Sequence, residues 1–311
     1  MPRAYHRAVP RNDPQNDPQN GRQSDLAELR AALDGVGAFV LDADGVLMFK
    51  GSPIAGSPEA LVELRRRAVP YRVVTNFSSA HRSTLAAAFG NATGLAVDPA
   101  EIITAASAAA AYTAERHPGA PLLVLAAPDA RREWAGQEVL SPNEADARAE
   151  PVAAVVIGDA GDDLSYRNVD IAFRQLHAGA EFVAMHRNPW WMTPKGFTLD
   201  AGAIVAGLEF ALGRRAVVSG KPSPVVFRQA VAELRAELAA CTAGRVGTRL
   251  RARDVVMVGD DPRADIAAAR RVGLRGILVL TGKVDATEAA ASPVRIDAVA
   301  PSLNAVIQAL R

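Results

Sequence analysis

The sequence predicts an α/β fold built on a parallel sheet. Apolar runs of about four to six residues alternate with helical stretches of about 10–15, and several of those runs end abruptly in acidic or hydroxyl residues. Continuous apolar runs suit strands buried on both faces, which is what helices packed on each side of a parallel sheet require. The length of 311 residues adds an expectation of about two domains at roughly 150 residues each.

The elements follow in order. Residues 1–24 hold a tandem Asn-Asp-Pro-Gln repeat (Asn12 to Gln15, Asn16 to Gln19) and almost no aliphatic side chains. They are expected to form a disordered leader, since they bury too little surface to offset their ordering entropy. A helix is expected from Ser24 as N-cap to Leu33, with Gly35 as its stop. Strands are expected at 38–41, 71–74, 121–126, 153–157, 181–184, 216–218, 255–258 and 276–280. Helices are expected at 59–67, 83–89, 100–116, 166–176, 203–212, 224–240 and 263–271. Polar, breaker-rich segments at 141–151 and 187–195, and a Gly- and Arg-rich connection at 241–253, are expected loops.

Composition narrows the function classes. Lys and Arg number 35 against 34 Asp and Glu, a net charge of +1, so there is no basic excess to neutralise a nucleic acid or an anionic membrane surface. The aromatic share of 5% disfavours a stacking platform for single strands, and the expected partner is a small molecule. Cys241 stands alone, which excludes an internal disulfide and a cysteine zinc cluster. No run reaches the ~18 apolar residues of a membrane span. Arg3, His6, Arg7 and Arg11 are followed by no apolar stretch, so a signal peptide is not expected and the expected location is cytoplasmic.

Four strand ends carry chemistry. Phe39 to Val46 reads as an apolar strand delivering Asp42, Asp44 and Gly45 to its C-terminal edge, where open α/β sheets bind ligands. On a continuing strand, an i, i+2 spacing aims both carboxylates to one face. Their mutual repulsion is relieved by a divalent cation, although Asp-Gly is also an ordinary turn. Met257 to Asp261 repeats the pattern, and Asp265 falls in the next first turn, where an anion is favoured whether as cap or as ligand support. Thr75 and Asn76 follow the 71–74 strand and offer a hydroxyl and N–H donors to an oxyanion. Lys221, between the 216–218 strand and the next helix, is a point charge suited to phosphate. In one parallel sheet all four ends share an edge and can converge on a metal-bound phosphate.

In this order, Asp42-Ala43-Asp44-Gly45-Val46, Thr75-Asn76, Gly220-Lys221-Pro222 and Gly259-Asp260-Asp261 with Asp265 resemble the four motifs of the haloacid dehalogenase (HAD) superfamily. The gap from Thr75 to Lys221 is similar to that of its class IIA, NagD-like members, which carry a C2-type cap there. Ser165 to Ala178, Leu199 to Gly202 and Gly259 to Lys283 resemble the subgroup of phospholysine phosphohistidine inorganic pyrophosphate phosphatases. The likeness covers about residues 36–285.

The resemblance implies a Rossmann-like parallel sheet core, 25–117 and 214–311, with an inserted α/β cap domain at 118–213. It implies a Mg²⁺-dependent phosphatase of small phosphomonoesters that works through an aspartyl-phosphate. Asp42 would be the nucleophile and Asp44 the acid/base. Thr75, Asn76 and Lys221 would bind phosphate, and Asp42, the Asp44 carbonyl and Asp260 the metal, with Asp261 and Asp265 in support. An acid two residues after the nucleophile argues against the dehalogenase branch. The alternative is a phospho-acceptor or phosphoester-binding regulatory module with little turnover.

Departures from the family pattern are Met48, Phe49 and Phe77, none of which removes a catalytic group. The cap would set specificity, with His186, Arg187, Asn188, Trp190 and Trp191 as polar-aromatic candidates. A homodimer through the cap is also implied.

Overall fold

The computed structural model describes residues 18–193, 196–241 and 250–311. Residues 1–17 of the expected leader and 242–249 of the expected 241–253 loop lie outside them.

The larger sheet has six parallel strands in the spatial order Ala298–Ala300, Arg275–Val279, Val255–Gly259, Ala38–Asp42, Tyr71–Thr75, Ile102–Thr104. Side chains alternate across the pleat. Phe39 and Leu41 join Leu61, Val256 and Ile277 on one face, while Val40 joins Val74, Phe227 and Met257 on the other. Phe39 and Leu41 are fully buried and stabilise the sheet by on the order of 2 kcal/mol apiece. The chain first builds outward from Ala38–Asp42 through Tyr71–Thr75 to Ile102–Thr104, then returns to lay Val255–Gly259 on the opposite flank. Between Ala38–Asp42 and Val255–Gly259 the winding reverses, and such a switch point opens a crevice beyond the strands' C-terminal ends.

A second parallel sheet lies within the insertion, in the order Val217–Val218, Glu181–Ala184, Ala154–Ile157, Leu122–Leu125, Val139–Leu140. It has cores on both faces, with Leu123, Ile157 and Phe182 on one and Val124, Val156 and Trp134 on the other. The architecture is therefore a Rossmann-like core with an inserted α/β cap. The helix Ala105–Arg116 joins the two units: Ala108 packs in the larger unit, while Ala105, Ala106 and Ala109 pack beneath the cap sheet. Its small side chains allow close approach on both sides. No described helix is long and apolar enough to cross a membrane.

The expected 141–151 loop contains a short helix, Pro142–Asp146, capped by Ser141, and four further expectations need correction. The first helix spans Pro18–Ala32 and so begins inside the expected leader, because proline at the first position forgoes only an N–H that has no helical partner. The expected 100–116 helix splits. β-Branched Ile102, Ile103 and Thr104 form a strand, and Thr104 then caps the helix, its Oγ1 accepting the Ser107 N–H at 2.9 Å. The expected 187–195 loop contains Trp190–Thr193, which pairs with Gly196–Leu199 as an antiparallel hairpin. Finally, Val217–Val218 pairs with Val183 and Ala184 of the cap sheet and does not enter the core sheet. Lys221 therefore approaches from the cap side, and the chain returns to the core after Val218, later than 213.

Candidate active site

Asp42 is the last residue of Ala38–Asp42 and is 4% exposed. Lys221 reaches it from the loop after Val217–Val218, placing Nζ 2.5 Å from Asp42 Oδ1 and 2.8 Å from Asp265 Oδ1. That loop passes through Gly220, where a Cβ would stand 2.6 Å from both Asn76 Oδ1 and the Met185 carbonyl oxygen. Asp265 is fully buried in the π-turn Pro262–Ala267, and its Oδ2 accepts the Asp261 N–H at 3.1 Å. A Cβ at Gly259 would overlap the Asp265 side chain. Asp260, 2% exposed, follows Val255–Gly259, and its Oδ2 accepts the Lys283 N–H at 2.9 Å. Asp260 Oδ1 is buried and has no hydrogen-bond partner.

Asp42, Asp260 and Asp265 each bring a carboxylate oxygen within 4.8 Å of the others. Burial, and next Asp265, push the Asp42 carboxyl well above its ordinary range, with Lys221 opposing. Burial and Asp265 likewise push Asp260 up to about 6. Burial alone would depress the Lys221 ammonium, but Asp265 and Asp42 outweigh it and hold the amine above its usual value. Fully ionised, the three carboxylates would exceed the one Lys221 ammonium by two negative charges. Buried charge of that kind calls for a cation. The donors are hard oxygens and one of them, Asp260 Oδ1, is unpartnered, which fits Mg²⁺.

Thr75 ends Tyr71–Thr75 and is 2% exposed, with its Oγ1 accepting the Phe77 N–H at 3.2 Å. Asn76 Nδ2 donates to the Lys221 carbonyl at 2.9 Å, and the Ala105 N–H donates to the Phe77 carbonyl at 3.1 Å. Both bonds tie the loop that carries the hydroxyl to segments reaching in from beneath the cap.

Asp44 lies past the strand's end. A turn in which the Gly45 N–H donates to the Met48 carbonyl at 2.7 Å places it, rather than strand alternation, and it is exposed. It lines a cleft of about 190 Å³ together with Asn76, Ser78, His186, Asn188 and Trp191. His186 is buried, and its Nδ1 accepts the Asn188 N–H at 3.3 Å. The neutral ring therefore carries its proton on Nε2, where it donates to Ser78 Oγ at 2.9 Å. Burial holds this imidazole below its ordinary pKa, with Asp200 and Asp159 opposing.

The remaining candidates lie apart from the cleft. Trp190 stacks edge-to-face on Phe197 at 4.8 Å, half exposed. Arg187 is paired with Glu209 at 2.6 Å. Asp261 caps its turn, Oδ1 accepting the Arg263 and Ala264 N–H groups at 2.8 and 2.9 Å, while Oδ2 meets Lys283 Nζ at 3.0 Å. Sequence reasoning gave no individual role to Ser78, Asp159 and Asp200 on the cleft wall, nor to Gly45 and Gly282, whose missing side chains make room for Asp260. For Gly45 a signal existed in its Asp-Gly dipeptide; for Asp159 none did, since it joins the wall only when cap meets core.

Residues 39–139 match the family model described as haloacid dehalogenase-like hydrolase, and residues 218–306 match one described as HAD-hydrolase-like. The phospholysine phosphohistidine inorganic pyrophosphate phosphatase of Homo sapiens is 32% identical over 257 residues, 81% of this chain and 85% of that protein. Among solved structures, the p-nitrophenyl phosphatase from Archaeoglobus fulgidus is 26% identical with a TM-score of 0.75, covering 88% of this chain and 99% of its own. NagD from E. coli K-12 is 26% identical with a TM-score of 0.72, covering 86% and 97%.

Proposed function

This chain belongs to the haloacid dehalogenase-like hydrolases, and from that membership we propose that it is a Mg²⁺-dependent phosphatase of small phosphomonoesters that forms an aspartyl-phosphate on Asp42. The observation that carries this reading is the buried Asp42–Lys221–Asp265 chain beside Asp260, which holds more negative charge than its lysine offsets. Asp42, Asp260 and the backbone carbonyl of Asp44 would hold the metal. When bound, it would neutralise phosphoryl oxygens that Asp42 otherwise repels.

The chain's own residues divide the remaining work. The Asp42 carboxylate attacks phosphorus as the bond to the leaving oxygen breaks, and Asp44, open to the cleft, gives that oxygen its proton. Asp44 then takes a proton from the water that releases phosphate. Lys221, Thr75 Oγ1 and the N–H groups of the Thr75–Asn76 loop stabilise the charge on the transferring group. Lys221 is pre-set for this role because two carboxylates aim its ammonium. The cap, with Asn188 and Trp191 on the cleft wall, would exclude water and contact the leaving group. Half-exposed Trp190 and exposed Phe197 and Leu199 give the cap an apolar hairpin face suited to a homodimer.

Asp42→Asn is expected to lower kcat on a generic aryl phosphate more than about 10³-fold with the fold retained. Near-normal Mg²⁺-dependent turnover by that variant would remove the mechanism. The cleft-facing Asp44 favours turnover over a persistent phospho-acceptor, so a long-lived phospho-Asp42 with no phosphate release in the wild-type protein would overturn the reading.

A further inference from the structure

The loop that carries Thr75 and Asn76 runs directly into the core helix Arg82–Thr93, and the donors at that helix's start are held by the cap. Asp129 and Glu133 stand at the short turn Ala130–Trp134 that follows the cap strand Leu122–Leu125. Asp129 Oδ2 accepts the His81 N–H at 2.9 Å. Glu133 Oε1 accepts the Arg82 N–H at 2.7 Å, and its Oε2 accepts Arg82 Nε at 2.9 Å and lies 2.8 Å from Nη2. The Glu133 side chain is 1% exposed, so these charge-assisted bonds are sheltered from solvent screening. Both carboxylates also face the positive end of the helix dipole. The turn itself is rigidly seated, because buried Trp134 donates Nε1–H to Thr113 Oγ1 at 3.0 Å beneath the cap sheet.

We propose that Glu133, assisted by Asp129, is a positioning residue that clasps the cap to the start of the Arg82–Thr93 helix and thereby sets the phosphate-binding loop. Neither residue lines the cleft or touches the Asp42–Lys221 chain. They act through residues 75–81, whose near end bears the Thr75 hydroxyl and whose middle bears Ser78, itself bonded to His186 of the cap. With the clasp released, that loop keeps its ties at Asn76 and Phe77 but loses its far anchor. Phosphate binding then weakens more than the chemical step, since the loop's donors grip phosphoryl oxygens in the bound ground state as well as in the transition state, while Asp42 and Lys221 keep their own supports.

The inference rests on the phosphatase reading, and the test separates the two. Wild type, Glu133→Ala, Glu133→Gln, Arg82→Ala and the Arg82→Ala/Glu133→Ala double variant are assayed on an aryl phosphate well below their lowest melting temperature. In parallel, inorganic phosphate with Mg²⁺ is titrated calorimetrically. Glu133→Ala is expected to raise KM and the phosphate Kd about tenfold with kcat reduced less. Glu133→Gln, which keeps an oxygen for the Arg82 N–H, recovers part of the loss, and the double variant is no worse than the worse single. If Glu133→Ala fails to fold, Asp129→Asn shows the same KM and Kd rise at smaller size. KM and Kd within twofold of wild type in the folded variant, or a loss accounted for entirely by the unfolded fraction, would overturn the clasp. A wild type without turnover would overturn the phosphatase reading alone, because the phosphate titration still tests the positioning.

Discussion

Gly45 and Gly51 have nearly the same left-handed backbone, φ 80° and 79°, yet only one of them touches the site. A Cβ at Gly45 would overlap the Asp260 carboxylate, whereas at Gly51 nothing lies within 4 Å. Alanine at either position incurs the left-handed strain of roughly 1–2 kcal/mol. At Gly45 it must also push Asp260 aside or open the turn that places Asp44. Gly45→Ala is therefore expected to weaken Mg²⁺ binding at least about tenfold while Gly51→Ala leaves it unchanged, although both incur comparable strain. Calorimetric titration of Mg²⁺ into the metal-free variants checks this, and equal affinities would show that Asp260 is not held by the fit against Gly45.

At the scale of elements, the strand Tyr71–Thr75 and the helix Pro224–Cys241 are joined by Arg72, which is 7% exposed and meets Glu233 at 3.0 Å and Glu237 at 2.7 Å. The two acids are one helical turn apart and partly solvated, so losing the arginine strands no fully buried charge. Arg72→Met is expected to destabilise by less than about 2 kcal/mol, below the 3–5 kcal/mol typical of breaking a buried pair. Chemical denaturation would measure it, and a loss above that range would mean the helix depends on this junction to dock. Arg72 was invisible as a junction in the sequence because its partners lie far along the chain. The same limit explains the misread strand at Val217–Val218: its apolar, β-branched character was legible, but whether it joins core or cap depends on pairing with Val183 and Ala184. Ile102–Thr104 and Ala298–Ala300 escaped for a different reason, being three-residue strands too short to show a period. The strand-end residues Asp42, Thr75 and Asp260 could be read because their position at the edge of the sheet follows from local pattern alone. On the cleft wall His186, Asn188 and Trp191 could be named from residue type, but not their meeting with Ser78, since that contact is made only across the two units.

For the whole molecule, a net charge of +1 conceals an excess of carboxylate over ammonium gathered at the switch point of the core sheet. In the metal-free protein Asp260 has its carboxyl held up at about 6 by burial and by Asp265. An acid whose folded pKa is raised costs stability progressively as pH climbs from the unfolded value near 3.9 through that folded value, and the full cost is present above it. At pH 7.5 neutralising Asp260 should therefore stabilise the metal-free fold, so Asp260→Asn in chelator is expected to melt above wild type. Mg²⁺ reverses the order. At about 1,000 times its Kd it adds about 4.1 kcal/mol to the form that binds it, enough to outweigh the relief that neutralising Asp260 brings, and roughly 6 °C in Tm for a chain of this size. Asp260→Asn has lost a ligand and should gain almost none of that. Thermal unfolding of both proteins with chelator and with Mg²⁺ should thus show the two Tm values crossing. A variant that melts below wild type in chelator and still gains the full increment would show that the repulsion lies elsewhere and that Asp260 does not hold the metal.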